Sequence, residues 1–252
     1  MATGVDRRGN SRYDTLFFSG MALFILASVL VGFAPTYYLV GVFKGPPVPN
    51  LIVHVHGAVF SLWIVLLLAQ TWLIGKGNAE LHRRLGMIGF CLACLVVVMG
   101  VVVATENLVR LYPLEPGASA VGWKAFYAVA LSDILMFSVL IYFACRNRFN
   151  PTAHKRLIMI GTLAILDVAI DRWPIHAAWW DDRMTPLVCI YPLLLLLMAY
   201  DWWSTGKVQR STMWASLFLV VVQQGRDPFG HTAAWQGFAA WVYAHSRWMP
   251  NG

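Results

Sequence analysis

Two stretches decide how this chain is read: LHRRLGMIG at 81–89 and AHKRLIMIG at 153–161. From the histidine onward, HRRLGMIG and HKRLIMIG share six of eight residues at an offset of 72. Each sets a histidine and basic residues directly before an apolar run. Lysine and arginine gather at the cytoplasmic ends of membrane helices, so both stretches read as helices leaving the same membrane face. His82 and His154 are then either two anchors or two partners in one site.

The composition agrees with a membrane reading. Of 252 residues, 59% are hydrophobic and only 12% charged, and the mean hydropathy is +0.62. Twelve tryptophans suit a protein with two membrane interfaces. A span needs about 20 residues to cross about 30 Å of hydrocarbon. Apolar runs at about 16–38, 54–75, 83–105, 124–146, 156–173, 185–203 and 211–224 predict seven spans, the seventh the weakest. The first run is too long and too far from the N-terminus for a secretory signal, and PTYYL stands where a cleavage site would be. The fold class expected is all-α, a polytopic transmembrane helical bundle forming one domain over 1–252, with 225–252 as an outer C-terminal segment.

Charge sets the expected topology. With the N-terminus inside, the inner segments hold twelve of the nineteen basic residues, against Asp6, Asp14, Glu80 and Asp201. The positive-inside rule therefore selects a cytoplasmic N-terminus and, with seven spans, a periplasmic C-terminus in a bacterial inner membrane. The same positions account for the net charge of +7, so no nucleic-acid partner is implied. The repeated stretches open the third and fifth spans, each after a span running inward. The repeating unit is then a helical hairpin, spans 2–3 (about 54–105) and 4–5 (about 124–173), in parallel orientation.

The polar residues inside apolar runs are the candidate sites. His82 and His154 are expected to ligate one ion or haem iron, with Gly86, Gly89 and Ala93 on one side and Gly161 and Ala164 on the other accepting a macrocycle. The plainer alternatives are headgroup anchoring and anion binding at helix starts. In LIVHVHGAVFSLWIVLLLAQ, His56 shares a helical stripe with Trp63 and Gln70 and is the interior histidine; His54 points elsewhere. Asp133 lies near the middle of the fourth span, and an intramembrane carboxylate is a functional candidate whose expected partner is a histidine or arginine of a neighbouring helix, His56 among them. His56 and Asp133 are the expected proton-handling pair. Asp167 and Asp171 share a face and need a proton, a cation or a metal between them. With His54, His176 and Glu106, Asp167 forms a possible outer metal set, although no spacing such as HExxH fixes an ion. Cys91, Cys94, Cys145 and Cys189 read as free, apolar-packing thiols.

The HxH of the second span and the HRRLG/HKRLI starts resemble uncharacterised multi-pass membrane proteins of bacteria over about residues 35–172. More distantly, four core helices with histidines near their ends resemble the transmembrane di-haem b cytochromes. That resemblance implies haem b held by His82 and His154 as an inner pair, with His56 matching one outer ligand. The fourth span departs from the pattern, carrying Asp133 and no histidine. The function expected is an inner-membrane redox protein that binds haem b, or another transition metal, between the third and fifth spans. It would exchange electrons with a small lipophilic partner such as a quinone. A proton-coupled transporter or channel without a cofactor is the alternative, and a lipid-directed enzyme with an outer His/Asp site is a third. No GxxxxGK[ST], no GxSxG and no lysine in the seventh run occur, which sets aside nucleotide-driven pumps, serine hydrolases of the GxSxG kind and retinal proteins.

Overall fold

A computed structural model describes residues 7–112, 118–174 and 184–246. All regular structure among them is helical. The long elements are α1 (Arg7–Phe33), α2 (Leu51–Gly75), α3 (Ala79–Leu111), α4 (Ala118–Arg146), α5 (Pro151–Leu163), α6 (Tyr191–Thr205), α7 (Arg210–Gly230) and α8 (Ala233–His245). Among the described residues, five stretches are long and apolar enough to cross a membrane: Arg12–Tyr38, Leu51–Gly75, Ala79–Leu111, Val121–Arg146 and Pro186–Thr205. The count of seven is thus reduced to five by length and hydropathy, although a helix stands at each of the seven expected places. The two that fall short have physical reasons. α5 has 13 residues and is almost wholly buried by its neighbours. α7 buries Thr212, Ser216, Gln223 and Arg226 against protein, so its inward face is polar.

Asparagines start the central helices. Asn50, Asn78 and Asn150 are the N-caps of α2, α3 and α5, their side chains accepting the amides of Val53, Leu81 and Ala153. Each cap satisfies one amide that a helix start leaves unpaired. A histidine follows each cap by four residues, and the amides of His54, His82 and His154 close onto the carbonyls of Asn50, Asn78 and Asn150. The asparagines at 78 and 150 keep the same offset as the histidines. Gly77, at φ 74°, supplies the left-handed turn between α2 and α3. Gly206, at φ 72°, ends α6 in the same way.

α2 packs on α3, α3 on α4, α4 on both α5 and α7, and α1 on α2. The helices alternate in direction, giving the bundle two ends. α2 and α4 run from the Asn50 end to the Asn150 end, and α3 and α5 return. The main core gathers Ile25, Trp63, Phe137, Leu140, Leu157, Ile160 and Leu163 around α5. α8 lies against α4 and α3 at the Asn50 end, where Trp235 Nε1 donates to the Lys124 carbonyl at 2.7 Å.

α5 does not continue as one helix to residue 173. After Leu163 the amides of Ile165 and Leu166 reach back only three residues, to Thr162 and Leu163, and a single turn follows at Asp167–Ile170. Broken helices are tolerated at membrane depth where protein surrounds them, and this turn is buried. Gly32 of α1 lies directly against it. A Cβ at position 32 would stand 2.0 Å from the Ala169 carbonyl oxygen. Gly32→Ala must push two backbones apart, and the expected cost is about 1–3 kcal/mol, the usual range for overpacking. A lowered thermal midpoint in detergent checks it. An unchanged midpoint would mean that α1 is not seated on this turn.

Candidate functional site

At the Asn150 end the two repeated histidines come together. The rings of His82 and His154 lie 6.4 Å apart between centroids, with planes at 88°. His154 Nδ1 meets the Ala144 carbonyl at 2.8 Å, a contact that fixes the ring and leaves Nε2 as the remaining nitrogen. Metal-bound imidazoles are ordinarily held through their second nitrogen in this way. His82 Nδ1 is buried with no hydrogen-bond partner, and Gln70 holds the His82 carbonyl at 3.2 Å.

The fit to a shared ion is testable on this spacing. Two imidazoles holding one ion in line at about 2.0–2.1 Å set their ring centres roughly 6.4 Å apart. Of the glycines expected to cradle a macrocycle, Gly86 has open space where its Cβ would be, whereas Gly161 is filled by Leu140 and Ile141 of α4. Gly161 serves helix packing. Among the described residues no group of three or more His, Cys, Asp or Glu side chains is placed to hold a metal. A bare transition ion generally asks for three or four protein ligands, while a haem iron asks for one or two. Two histidines fall short of the first number and equal the second.

The basic residues of the two stretches diverge. Arg84 makes an exposed pair with Glu80 on its own helix. Lys155 pairs instead with Asp14 of α1, which also accepts the Tyr200 hydroxyl at 2.7 Å. Arg156 is 1% exposed and binds Asp201 of α6, itself fully buried. Asp201 further accepts Thr212 Oγ1 at 2.5 Å and the Gln209 amide at 3.1 Å. Counted in the sequence as inner-surface charge, Lys155 and Arg156 are ties between helices.

In the Asn50 half lies a cavity of about 300 Å³, and His56 and Asp133 both line it. The stripe read from α2 faces protein: His56 stacks on Phe60 at 4.1 Å, Trp63 Nε1 donates to Thr162 Oγ1 at 3.2 Å, and Gln70 reaches α3. Tyr37 and Tyr38 come to the cavity from a π-type turn, Ala34–Tyr38, at the end of α1. Gly57 makes room for them, since a Cβ there would stand 2.5 Å from the Tyr37 ring. Tyr38 and Ser61 hydroxyls pair at 2.6 Å.

Beside the cavity is a buried ion triad. Arg226 of α7 binds Asp133 of α4 through Nη1 and Asp167 through Nη2, the latter at 2.8 Å. Of the histidine or arginine expected to face Asp133, the structure supplies an arginine, Arg226, in place of His56, and leaves Asp133 Oδ2 without a hydrogen bond. Arg226 was assigned to an outer segment. Its signal was the spacing of Thr212, Ala215, Ser216, Leu219, Gln223, Arg226 and Gly230, a buried small-and-polar stripe at helical period.

The expected outer metal set is not assembled among the described residues. His54 is exposed at the start of α2, with its carbonyl bonded by the Tyr37 hydroxyl at 3.1 Å. Asp167 is committed to Arg226. Glu106 holds Asn50 Nδ2 at 2.7 Å and Arg110 Nε at 2.9 Å. His176 lies outside the described residues. All four cysteines are free thiols.

The arrangement defines an all-α helical bundle of membrane-protein character, with a histidine pair at one end and a largely apolar cavity carrying His56 and Asp133 toward the other. Comparisons of the chain with protein-family models, with curated proteins and with solved structures found no match in any of the three.

Proposed function

We propose that this chain is an inner-membrane redox protein of bacterial type in which His82 and His154 are the axial ligands of one haem b. The observation that carries the reading is their ring separation of 6.4 Å, with His154 oriented by the Ala144 carbonyl. Bound there, haem would supply one-electron exchange. The chain's own part is to hold two imidazoles from helices that start alike, each four residues after an asparagine cap. The shared caps support a parallel hairpin repeat, α2–α3 and α4–α5. On this reading the N-terminus is cytoplasmic, and the electron partner is a small lipophilic molecule such as a quinone.

The test is an oxidised-minus-reduced absorption spectrum of the chain purified in mild detergent, with iron quantified on the same sample. The expected result is a b-type spectrum with about one iron per chain, abolished by His82→Ala and by His154→Ala. A colourless protein, expressed with haem supply ensured, would overturn the reading.

A second reading, a proton-coupled transporter, is favoured by a separate observation. α5 breaks beside a buried Asp–Arg–Asp triad that lines or adjoins a cavity. Discontinuous helices at such sites are a recurrent device of secondary transporters. Proton uptake on substrate addition in liposomes, absent in Asp133→Asn, would favour it.

A further inference from the structure

Two residues that line the cavity in the Asn50 half, Asp133 and His56, each carry a buried polar atom that no described residue satisfies, Asp133 Oδ2 and His56 Nδ1. Buried polar atoms are almost always hydrogen-bonded, and leaving one unmet costs about 1–3 kcal/mol. Both atoms are acceptors. Oδ2 belongs to a carboxylate whose other oxygen is taken by Arg226. His56 Nδ1 presents a lone pair when the ring proton sits on Nε2. A molecule satisfying both must bring donors.

Charge points the same way. Arg226 is a single cation divided between two carboxylates, Asp133 and Asp167. The other two cations lining the cavity are engaged elsewhere: Arg110 with Glu106 and Asn107, and Arg172 with the Val168 carbonyl and the face of Phe33. The rest of the wall is largely apolar and aromatic, and 300 Å³ is at the lower end of the range of about 300–1,000 Å³ for small-molecule pockets. Aromatic faces such as Phe60 also attract a cation.

We propose that this cavity is a binding site for a small lipophilic amine, whose ammonium group donates to Asp133 Oδ2 and His56 Nδ1 while its apolar body lies among Phe60, Phe126, Ile134 and Ile165. The proposal does not rest on iron at His82 and His154. The amine supplies the second cation that the two carboxylates lack, and the cavity gives its hydrocarbon part an interior to match.

The test is binding of fluorescent 1-naphthylmethylamine to the full chain in phosphatidylcholine nanodiscs, with empty nanodiscs as the partition control. The expected result is one saturable site per chain, with 1-ethylnaphthalene, which lacks only the donor head, at least about tenfold weaker. Asp133→Asn is expected to weaken the amine by a similar factor. Ala130→Phe, which fills the cavity from one turn before Asp133 and keeps all three charged residues, should abolish binding while the chain still elutes as a single species. His82→Ala should bind the amine as before. Equal partition into loaded and empty discs would mean that water fills the cavity and would overturn the proposal. Equal affinity for the hydrocarbon, or undiminished binding in Ala130→Phe, would overturn it as well.

Discussion

Arg226→Met is expected to be the most damaging single substitution in the bundle. The guanidinium is buried and holds Asp133 and Asp167 from two other elements. Removing one partner of a buried ion pair leaves an uncompensated charge, at a cost of about 3–5 kcal/mol. Here two carboxylates are left facing each other, so the upper part of that range is expected. The readout is fluorescence-detected gel filtration of the solubilised chain together with its thermal midpoint, where the single variant should aggregate or melt far earlier. The triple variant Arg226→Met, Asp133→Asn, Asp167→Asn discharges all three positions and is expected to recover most of the loss, because replacing a whole buried ion cluster is often close to neutral. If the triple is as unstable as the single, the loss comes from side-chain shape and the electrostatic account fails. An Arg226→Met chain that elutes and melts normally would mean that the triad does not hold α7 to α4.

How much of this was legible depends on which physical signal carried each feature. The helices were readable because 20-residue apolar runs between charge clusters have few other uses in a protein, and a helix stands in each run, broken only in the fifth. The meeting of His82 and His154 was readable from an eight-residue repeat, because equal starts on helices of equal direction bring equal positions to one end. The role of His56 as the inward histidine followed from its stripe with Trp63 and Gln70. What escaped was polar. Arg226 follows the apolar run MWASLFLVVV and was weighed by hydropathy, which cannot see a stripe of Thr212, Ser216, Gln223 and Arg226 facing protein. Lys155 and Arg156 were counted as surface charge because a sequence does not say that Asp14 and Asp201, on two other helices, stand opposite them. The break in α5 was also hidden: residues 164–166 carry no proline or glycine, and the close approach of Gly32 to the turn that follows is a contact between helices far apart in sequence.

Asp201→Ala is the second large effect expected, and it returns to what the basic residues of the repeated stretches are for. If Arg156 were a headgroup anchor, deleting a carboxylate on α6 would matter little. In the structure Asp201 takes Arg156 Nε at 2.7 Å, a second guanidinium nitrogen, Thr212 Oγ1 and the Gln209 amide, so one side chain joins α5, α6 and the start of α7. Its removal leaves a buried guanidinium and an amide unmet, and about 3–5 kcal/mol of stability should go with it. Asp14→Asn is the fitting comparison. Asp14 and Lys155 are each about one-third exposed, and pairs open to solvent contribute about 0–1 kcal/mol, so its midpoint should move only slightly. A large drop for Asp201→Ala beside a small one for Asp14→Asn would separate the three residues of the HKR stretch by role: His154 for the site, Lys155 for a weak surface tie, Arg156 for the clamp. Similar small drops in both would return Arg156 to the membrane surface, and the repeat to a duplicated anchor.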